Sequence, residues 1–340
     1  MTVFPSPRFT PTIPSQDPNT QNMPETSKKT VYDNTRQKAT SQDEFLKSSL
    51  ARIQQVQMHL DTTPRGIRMK GKVCIITGAG SLKGIGRATA FLFAHEGAAH
   101  LYLSDYDPTH LPDLRNNLQT KYPDTKVTTA AFDAASEKDV ISVCEQAFQE
   151  EGRLDVFFAN AGWATRDTLS NTDAKTFMES MRINALSCFL AIKYASPWMA
   201  KTNASRGKQL SGGSIILTAS IAGLRSGAGT VDYSAAKAAV NSMAKTGANQ
   251  LARTGVRVNS ICPGLIETGM TSDTFEYAKM RGSQGKIGQL NPLGRWAVSE
   301  EIGQMALFLA SDDSSYVNGQ NIAVDGGLSS SHPVVPGRWA

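Results

Sequence analysis

Tyr233 and Lys237 could together transfer a proton, because they lie four residues apart in the segment YSAAK. In a helix, two side chains with this spacing share one face. A free phenol has a pKa of about 10 and is a poor base near neutral pH. A neighbouring ammonium group stabilises the phenolate and lowers that pKa. The pair is therefore a candidate acid/base, although an exposed tyrosine and an exposed lysine also show this spacing by chance.

Two polar residues earlier in the chain strengthen this interpretation. Ser220 precedes Tyr233 by thirteen residues and lies at the end of a predicted strand. Asn184 lies within a helical stretch after an earlier strand. Chemistry at a carbinol carbon needs a group that takes or gives the hydroxyl proton. These residue types could supply the proton and orient the reacting oxygen.

A glycine-rich segment, TGAGSLKGIGRATA (77–90), follows the first apolar run. Glycines allow a tight turn and let backbone N–H groups approach a pyrophosphate at the start of a helix. We therefore predict a dinucleotide-binding turn, as opposed to a purely structural one. Its candidate cofactor-binding residues are Gly78, Gly80, Gly84, Ile85 and Gly86.

Charged residues near this turn bear on the choice between NAD and NADP. Asp105 follows Gly86 by nineteen residues, at the end of the second predicted strand. An acid there accepts hydrogen bonds from ribose hydroxyls and repels a 2′-phosphate, which favours NAD. Lys83, and also Arg87, could instead reach a 2′-phosphate, which argues for NADP.

Short apolar runs alternate with helical patterns from Lys70 onwards, and this alternation must position the candidate residues. It predicts parallel strands joined by right-handed crossovers. We expect an α/β fold with an open, doubly wound parallel sheet of the Rossmann type, in which ligands lie at the carboxyl ends of the strands. The predicted strands are 73–77, 100–105, 126–133, 154–162, 213–220, 256–264 and 320–327, and the predicted helices lie in 88–95, 111–121, 140–150, 174–194, 233–251 and 300–309.

The flanking segments differ in composition from this body. Residues 1–40 are rich in Pro, Thr, Ser, Asn and Gln, so we expect a disordered extension. Residues 41–64 show helical apolar spacing and predict an amphipathic helix that docks on the body or on a partner, with a frayed polar helix as the alternative. We assign 70–330 to one α/β domain and 331–340 to a tail. The polar stretch 201–213 is expected to be a surface loop.

The overall composition narrows the class of protein. The 340 residues are 40% apolar and carry a net charge of +5 without a long basic run, so we expect no nucleic-acid partner. No apolar run reaches the roughly 18 residues of a membrane span, so we expect no membrane partner. The four cysteines show no metal-ligand spacing, so we predict no metal site. Unpaired cysteines suggest a reducing compartment, and we expect a cytoplasmic protein.

Taken together, the motifs resemble those of the short-chain dehydrogenase/reductase family. The matching pieces appear in family order over residues 70 to about 330: TGAGSLKGIG, Asp105, Asp133, ANAG (159–162), Asn184, Ser220, Tyr233 with Lys237, Pro263 and Gly264 with Thr268, and VDGG (324–327). The tail SSSHPVVPGRWA (329–340) resembles those of some fungal members.

The resemblance implies a role for each matching residue. Tyr233 would be the general acid/base, Lys237 would lower its pKa and bind the nicotinamide ribose, and Ser220 would hold the substrate oxygen. Asn184 would anchor a water in a proton relay. The remaining cofactor contacts would be Asp133 at adenine, Asn160 and Gly162 along the groove, and Pro263, Gly264 and Thr268 beside the nicotinamide.

Two departures from the family pattern affect the cofactor turn. Five residues separate Gly78 from Gly84, two more than usual, so either Gly78 or Gly80 could correspond to the first family glycine. Ala159 stands where the family usually has Asn, and we expect the retained Asn160 to matter more for structure.

The resemblance also implies a reaction and an assembly. We expect NAD(P)-dependent hydride transfer between the nicotinamide and a secondary alcohol or ketone. The alternatives are an epimerase or dehydratase that uses the cofactor transiently, and a non-catalytic NAD(P)-binding protein. The substrate pocket would be built from 163–169, 221–231 and 265–296, whose last segment could be a lid over an apolar substrate or could pack on itself. We expect a homodimer or homotetramer.

Overall fold

The computed structural model describes residues 42–331. The expected disorder of residues 1–40 lies outside the described residues, as does the tail from residue 332 onwards. Within 42–331, the predicted doubly wound α/β fold is confirmed. No helix among these residues is both long enough and apolar enough to cross a membrane.

Among the described residues, seven parallel strands form the central sheet, in the order β3-β2-β1-β4-β5-β6-β9. Each strand is a run of mainly apolar or β-branched residues, as expected for a sheet that helices cover on both faces. A separate pair, β7 and β8, is also parallel. The strands are β1 Val73–Thr77, β2 His100–Asp105, β3 Lys126–Ala131, β4 Val156–Ala159, β5 Gly213–Thr218, β6 Val256–Pro263, β7 Ile266–Glu267, β8 Ala297–Val298 and β9 Asn321–Val324.

Ten α-helices connect and cover these strands within the described part of the chain. They are α1 Gln42–Gln57, α2 His59–Thr62, α3 Ile85–His95, α4 Leu111–Lys121, α5 Glu137–Glu151, α6 Ala174–Met181, α7 Ser187–Met199, α8 Val231–Gln250, α9 Ser272–Met280 and α10 Ser299–Ala310. Short 3₁₀ turns lie at Ala204–Arg206, Ile221–Gly223, Gly269–Thr271, Gln284–Lys286 and Asp312–Ser314.

Two apolar cores lie on opposite faces of the sheet. Side chains alternate along a strand, so Cys74 and Ile76 of β1 join the core under α3, α4 and α10. Val73 and Ile75 join the core under α5, α7 and α8. These cores hold the strand ends, and therefore the site, on a rigid frame.

The predicted helix at 174–194 is interrupted by a π-helical turn. Residues Arg182–Leu186 form this turn between α6 and α7. A π turn inserts an extra residue and often marks a functional site. Asn184 lies within it and is fully buried. The predicted helix at 41–64 is likewise divided, into α1 and the short α2.

Candidate functional site

The carboxyl ends of β1 and β4 flank the point where the strand order reverses. The chain runs outward from β1 to β2 and β3, and then returns to β4 on the other side of β1. In open α/β sheets, ligands bind in the crevice outside such a point. The glycine-rich turn follows β1 and Asn160 follows β4, so the structure brings both to this crevice.

The turn after β1 is closely packed around Gly78. Gly78 has φ +70°, and a Cβ there would lie 2.9 Å from the Ala161 Cα. A Cβ on Gly86 would lie 2.5 Å from the Gly78 carbonyl oxygen. Gly84 then caps α3, which begins at Ile85. Backbone atoms and the Asn160 side-chain amide fill this space, so neither glycine leaves room for a side chain.

Gly80 has a different role in the longer turn, because it contacts Asp105. The Gly80 N–H donates to Asp105 Oδ2 at 2.7 Å, and the Asp107 N–H donates to Asp105 Oδ1 at 3.2 Å. Gly78 therefore makes the tight turn, while Gly80 fixes the half-buried carboxylate at the end of β2.

The two cations near the turn are already paired with carboxylates. Lys83 Nζ lies 2.7 Å from Glu267 Oε1. The Arg87 guanidinium forms an ion pair with Asp113. To reach a 2′-phosphate, each cation would have to leave its partner.

Asn160 ties together the ends of three strands. Its Nδ2 donates to the carbonyl oxygens of Thr77 and Gly78, both at 3.1 Å. Its Oδ1 accepts a hydrogen bond from the Thr218 hydroxyl at 3.1 Å. These bonds connect β1, β4 and β5 beneath the crevice.

Tyr233 and Lys237 lie on α8, which follows β5. The Lys237 ammonium lies 5.5 Å from the centroid of the Tyr233 ring. Lys237 is 1% exposed, and its Nζ donates to the Thr218 carbonyl oxygen at 2.7 Å. A buried ammonium needs such acceptors. The charge is therefore held in one place beside the phenol.

Asn184 meets Lys237 at Gly162. Asn184 Oδ1 accepts from the Trp163 N–H at 3.0 Å, and its Nδ2 donates to the Trp163 carbonyl oxygen at 2.7 Å. A Cβ on Gly162 would lie 3.1 Å from Asn184 Oδ1 and 3.4 Å from Lys237 Nζ. Both polar groups therefore converge on the same small volume.

Ser220 follows β5 and caps the 3₁₀ turn Ile221–Gly223. Its Oγ accepts a hydrogen bond from the Ala222 N–H at 3.1 Å, which leaves the hydroxyl hydrogen to donate elsewhere. The neighbouring end of β6 pairs with β5, so Pro263 and Gly264 lie on this side of the sheet. Thr268 caps the next turn, Gly269–Thr271.

The Asp133 carboxylate, just after β3, is bound by other groups of the chain. Its Oδ2 lies 2.6 Å from Arg182 Nη1, and its Oδ1 accepts from the Ala135 N–H at 2.9 Å. Half of the carboxylate is thus held by the π turn that carries Asn184.

Asp232 is a site residue that the sequence analysis missed. It is fully buried beside Tyr233, and both of its oxygens accept from the Thr165 hydroxyl at 2.9 Å. Burial raises the pKa of its carboxyl, but hydrogen bonds from Thr230, Thr165 and Ser180 outweigh this effect and hold the pKa below its usual range. Ser180 also lies within reach of Asn184 Nδ2, at 3.4 Å. The sequence does place an acid directly before Tyr233. An exposed acid at the start of a helix would look the same in the sequence, so this position did not indicate a buried carboxylate.

Comparison with known proteins decides the family. A family model described as enoyl-(acyl carrier protein) reductase matches residues 78–329. The 3-oxoacyl-[acyl-carrier-protein] reductase of Thermotoga maritima is 37% identical over 263 residues, 77% of this chain and 99% of that protein. The levodione reductase of Leifsonia aquatica is 32% identical over 269 residues, 78% of this chain and 97% of that protein.

Solved structures agree with these sequence matches. A crystal structure of a levodione reductase has a TM-score of 0.69 at 32% identity and covers 78% of this chain and 100% of its own. The chain belongs to the short-chain dehydrogenase/reductase family. A crystal structure from Beutenbergia cavernae, described as that of an NAD(P)-dependent gluconate 5-dehydrogenase with NADP bound at low occupancy, has a TM-score of 0.67 at 28% identity and covers 79% of this chain and 100% of its own.

Family membership makes this chain an NAD(P)-dependent oxidoreductase that acts on CH–OH groups. The turn between β1 and α3 fits a dinucleotide, because Gly78 and Gly86 let the backbone pack closely at the start of α3, where free N–H groups can face a pyrophosphate. The relatives named here are bacterial, and plant proteins are also among the relatives. They give no support to the fungal likeness of the tail.

No cluster of three or more His, Cys, Asp or Glu side chains within residues 42–331 is arranged to hold a metal ion. The site's polar groups are instead amide, hydroxyl, phenol and ammonium. These groups can hold a dinucleotide and move a proton.

Proposed function

We propose that this enzyme interconverts a secondary alcohol and a ketone with Tyr233 as the general acid/base. Bound NAD(P) supplies the hydride donor or acceptor. The phenol gives its proton to the substrate oxygen during reduction and takes it back during oxidation. The observation that carries this proposal is the buried Lys237 ammonium, 5.5 Å from the Tyr233 ring. The Thr218 carbonyl oxygen fixes this ammonium beside the phenol.

Ser220 and Asn184 complete the proposed proton path. Ser220 donates its hydroxyl hydrogen to the substrate oxygen and so holds that oxygen near Tyr233. Asn184 and Lys237 converge at Gly162, which supports a relay in which Asn184 anchors a water beside the ammonium. The relay would return a proton from solvent to Tyr233 by way of Lys237.

The cofactor-binding residues are proposed in three groups. Gly78, Gly80, Gly84, Ile85 and Gly86 form the turn at the pyrophosphate. Asn160, Gly162, Tyr233 and Lys237 line the groove up to the nicotinamide ribose, and Pro263, Gly264 and Thr268 flank the nicotinamide ring. Asp105 and Asp133 lie on the adenosine side, where Asp133 would contact adenine with its geometry supported by Arg182.

NAD is proposed as the preferred cofactor. Asp105 is held at the end of β2 by the Gly80 N–H, in the place where family members bind the adenosine ribose. A 2′-phosphate there would meet this carboxylate. Lys83 and Arg87 offer little compensation, because both already pair with acids.

An apolar substrate is proposed because apolar side chains are exposed in all three expected pocket segments. Trp163 and Leu169 follow β4, Leu224 follows β5, and Met270 follows β6. Phe275 and Trp296 pack on each other with ring centroids 5.6 Å apart, so this pair belongs to a small core and does not form part of an open lid.

A homodimer or homotetramer is proposed from an apolar surface on α6, α7 and α8. Met178, Leu186 and Phe189 are exposed on it, next to Ala239 and Met243. Large exposed apolar patches commonly mark protein interfaces. From the resemblance to the family, we expect the same helices to pair between subunits.

A reducing compartment such as the cytoplasm is also proposed. The four cysteines are unpaired and buried. Burial raises the pKa of each thiol and keeps it protonated, which suits a chain without disulfides.

The test is a panel of ketones of graded size, with NADH consumption followed by absorbance and product followed by chromatography. We expect net NADH oxidation that is fastest with an apolar ketone. Product without net NADH oxidation would support an epimerase or dehydratase. NADH binding without conversion of any ketone, or of the matching alcohols with NAD⁺, would favour a non-catalytic protein.

A further inference from the structure

Helix α1 lies ahead of the matched family region, which begins at residue 78, yet it packs against the segment that follows β6, part of the proposed substrate pocket. The relatives named above cover 77–78% of this chain and 97–99% of their own length, so α1 extends beyond the shared fold. What α1 contacts therefore bears on this chain in particular.

The apolar face of α1 forms a small core with the segment that follows β6. Ile53 is 6% exposed and clusters with Ala278, Ile287, Trp296 and Val298. Other apolar side chains pack around this cluster: Leu46 and Val56 from α1, and Leu265 and Phe275 from the segment itself. This core is separate from the two cores of the sheet, so α1 supplies one wall of it.

Phe45 makes a second contact with the same segment. A Cβ on Gly294 would lie 2.6 Å from Phe45 Cζ, so the ring lies directly against the backbone there. Gly294 also has φ +68°, a conformation that side chains oppose. A side chain at position 294 would therefore strain the backbone and collide with Phe45 of α1.

Trp296 connects this core to the cofactor turn. Its Nε1–H donates to Glu267 Oε2 at 3.1 Å, and Glu267 Oε1 lies 2.7 Å from Lys83 Nζ on the glycine-rich turn. The Ser299 hydroxyl donates to the Lys83 carbonyl oxygen at 2.6 Å. A line of direct contacts thus runs from α1 through Trp296 and Glu267 to the turn proposed to bind pyrophosphate.

We propose that α1 is a positioning element that holds segment 265–298 in place beside the crevice and, through Trp296 and Glu267, steadies the glycine-rich turn. This inference rests on the proposed function for its effect on substrate. It predicts that undocking α1 weakens binding of both ligands. The chemical step should change little, because Tyr233 and Lys237 lie on α8, outside this core.

The experiment compares two aspartates placed on opposite faces of α1 in the full-length chain. Ile53→Asp puts a charge into the small core and should undock the helix. Ala51→Asp puts the same residue on the exposed face and serves as the matched control. Ile53→Val keeps the packing and should restore wild-type behaviour.

Hydrogen exchange of segment 272–298 and the Kd for NADH are measured first, because neither depends on turnover. With Ile53→Asp we expect faster exchange in 272–298 and a Kd raised about threefold or more, with Ala51→Asp and Ile53→Val unchanged. With the ketone found in the panel, KM should rise about fivefold or more while kcat stays within about twofold.

The proposal would be overturned if exchange in 272–298 and the Kd for NADH matched wild type in Ile53→Asp. It would also be overturned if kcat fell while KM and Kd did not change. A general loss of folding would appear as faster exchange in β1 and β5 as well, and would equally contradict a role confined to this segment. Failure of the proposed function is distinguishable, because the wild type would then convert no ketone whatever the exchange result.

Discussion

At the scale of single residues, each charged side chain of the site is fixed in position by a hydrogen bond or an ion pair. Lys237 is fixed by a carbonyl oxygen, Asp105 by a backbone N–H, and Lys83 by a carboxylate. The sequence identified these residues from their spacing. It could not show which of them form hydrogen bonds or ion pairs within the protein, because their partners are distant along the chain.

Cofactor choice is a prediction at this scale. We expect kcat/KM for NADH to exceed that for NADPH by about tenfold or more, and Asp105→Ser to reduce this ratio about tenfold, because the carboxylate accepts from ribose hydroxyls and repels a 2′-phosphate. Lys83→Met is the control. It should leave the ratio within about twofold, since exposed ion pairs contribute only about 0–1 kcal/mol. Steady-state kinetics with both cofactors measures the ratio, and a tenfold preference for NADPH in the wild type would contradict this prediction.

At the scale of elements, the strands and their helices could be predicted because their patterns are local. VCIIT at 73–77 and HLYLSD at 100–105 match β1 and β2, since buried parallel strands are short apolar runs. The order of motifs also placed every candidate residue at a strand end or on the following helix. Burial of apolar surface thus explains most of what could be predicted.

The π turn could not be predicted, because its cause is not local. Asn184 bonds both backbone groups of Trp163, a residue on the loop after β4, and these contacts accompany the extra residue in the turn. Lys208 offers a similar case within the expected surface loop. It is 5% exposed, and its ammonium donates to the carbonyl oxygens of Leu154 and Met199.

Asp232 provides the prediction at this scale, because it joins α8 to Thr165 after β4 and to Ser180 on α6. We expect Asp232→Asn to lower the free energy of unfolding by about 2 kcal/mol near pH 7, since hydrogen bonds to a buried charge contribute about 1.5–3 kcal/mol. Urea denaturation measures the change. Asp313→Asn, at an exposed position, should change stability by less than about 0.5 kcal/mol.

The pH dependence of this effect has a definite sign. The native pKa of Asp232 is lowered, so its stabilisation is fully present above the unfolded-state pKa of about 4. It is lost as the pH falls through the native pKa. The stability difference between wild type and Asp232→Asn should therefore narrow at low pH, and a difference that widened on acidification would contradict the role of the ionised carboxylate.

At the scale of the whole molecule, the apolar surface on α6, α7 and α8 predicts assembly. We expect the wild type to be a dimer or tetramer at micromolar concentration and Phe189→Asp to lower the assembly state, because the charge would be buried at the interface. Light scattering after size exclusion measures the mass. Tyr316→Asp, at a fully exposed position that is not part of this surface, should not change it. A monomeric wild type, or an unchanged mass for Phe189→Asp, would contradict the proposal.

Transfer of one proton links the residues of the site to the sheet that carries them. The sheet brings α8 to the crevice, α8 sets Tyr233 beside Lys237, and we propose that the phenol there serves as the acid/base. The most direct test measures Tyr233→Phe against wild type for NADH affinity and for turnover with the ketone found in the panel. We predict that the variant still binds NADH and that its kcat falls by about a thousandfold. A variant that binds NADH and turns over at the wild-type rate would contradict the central claim.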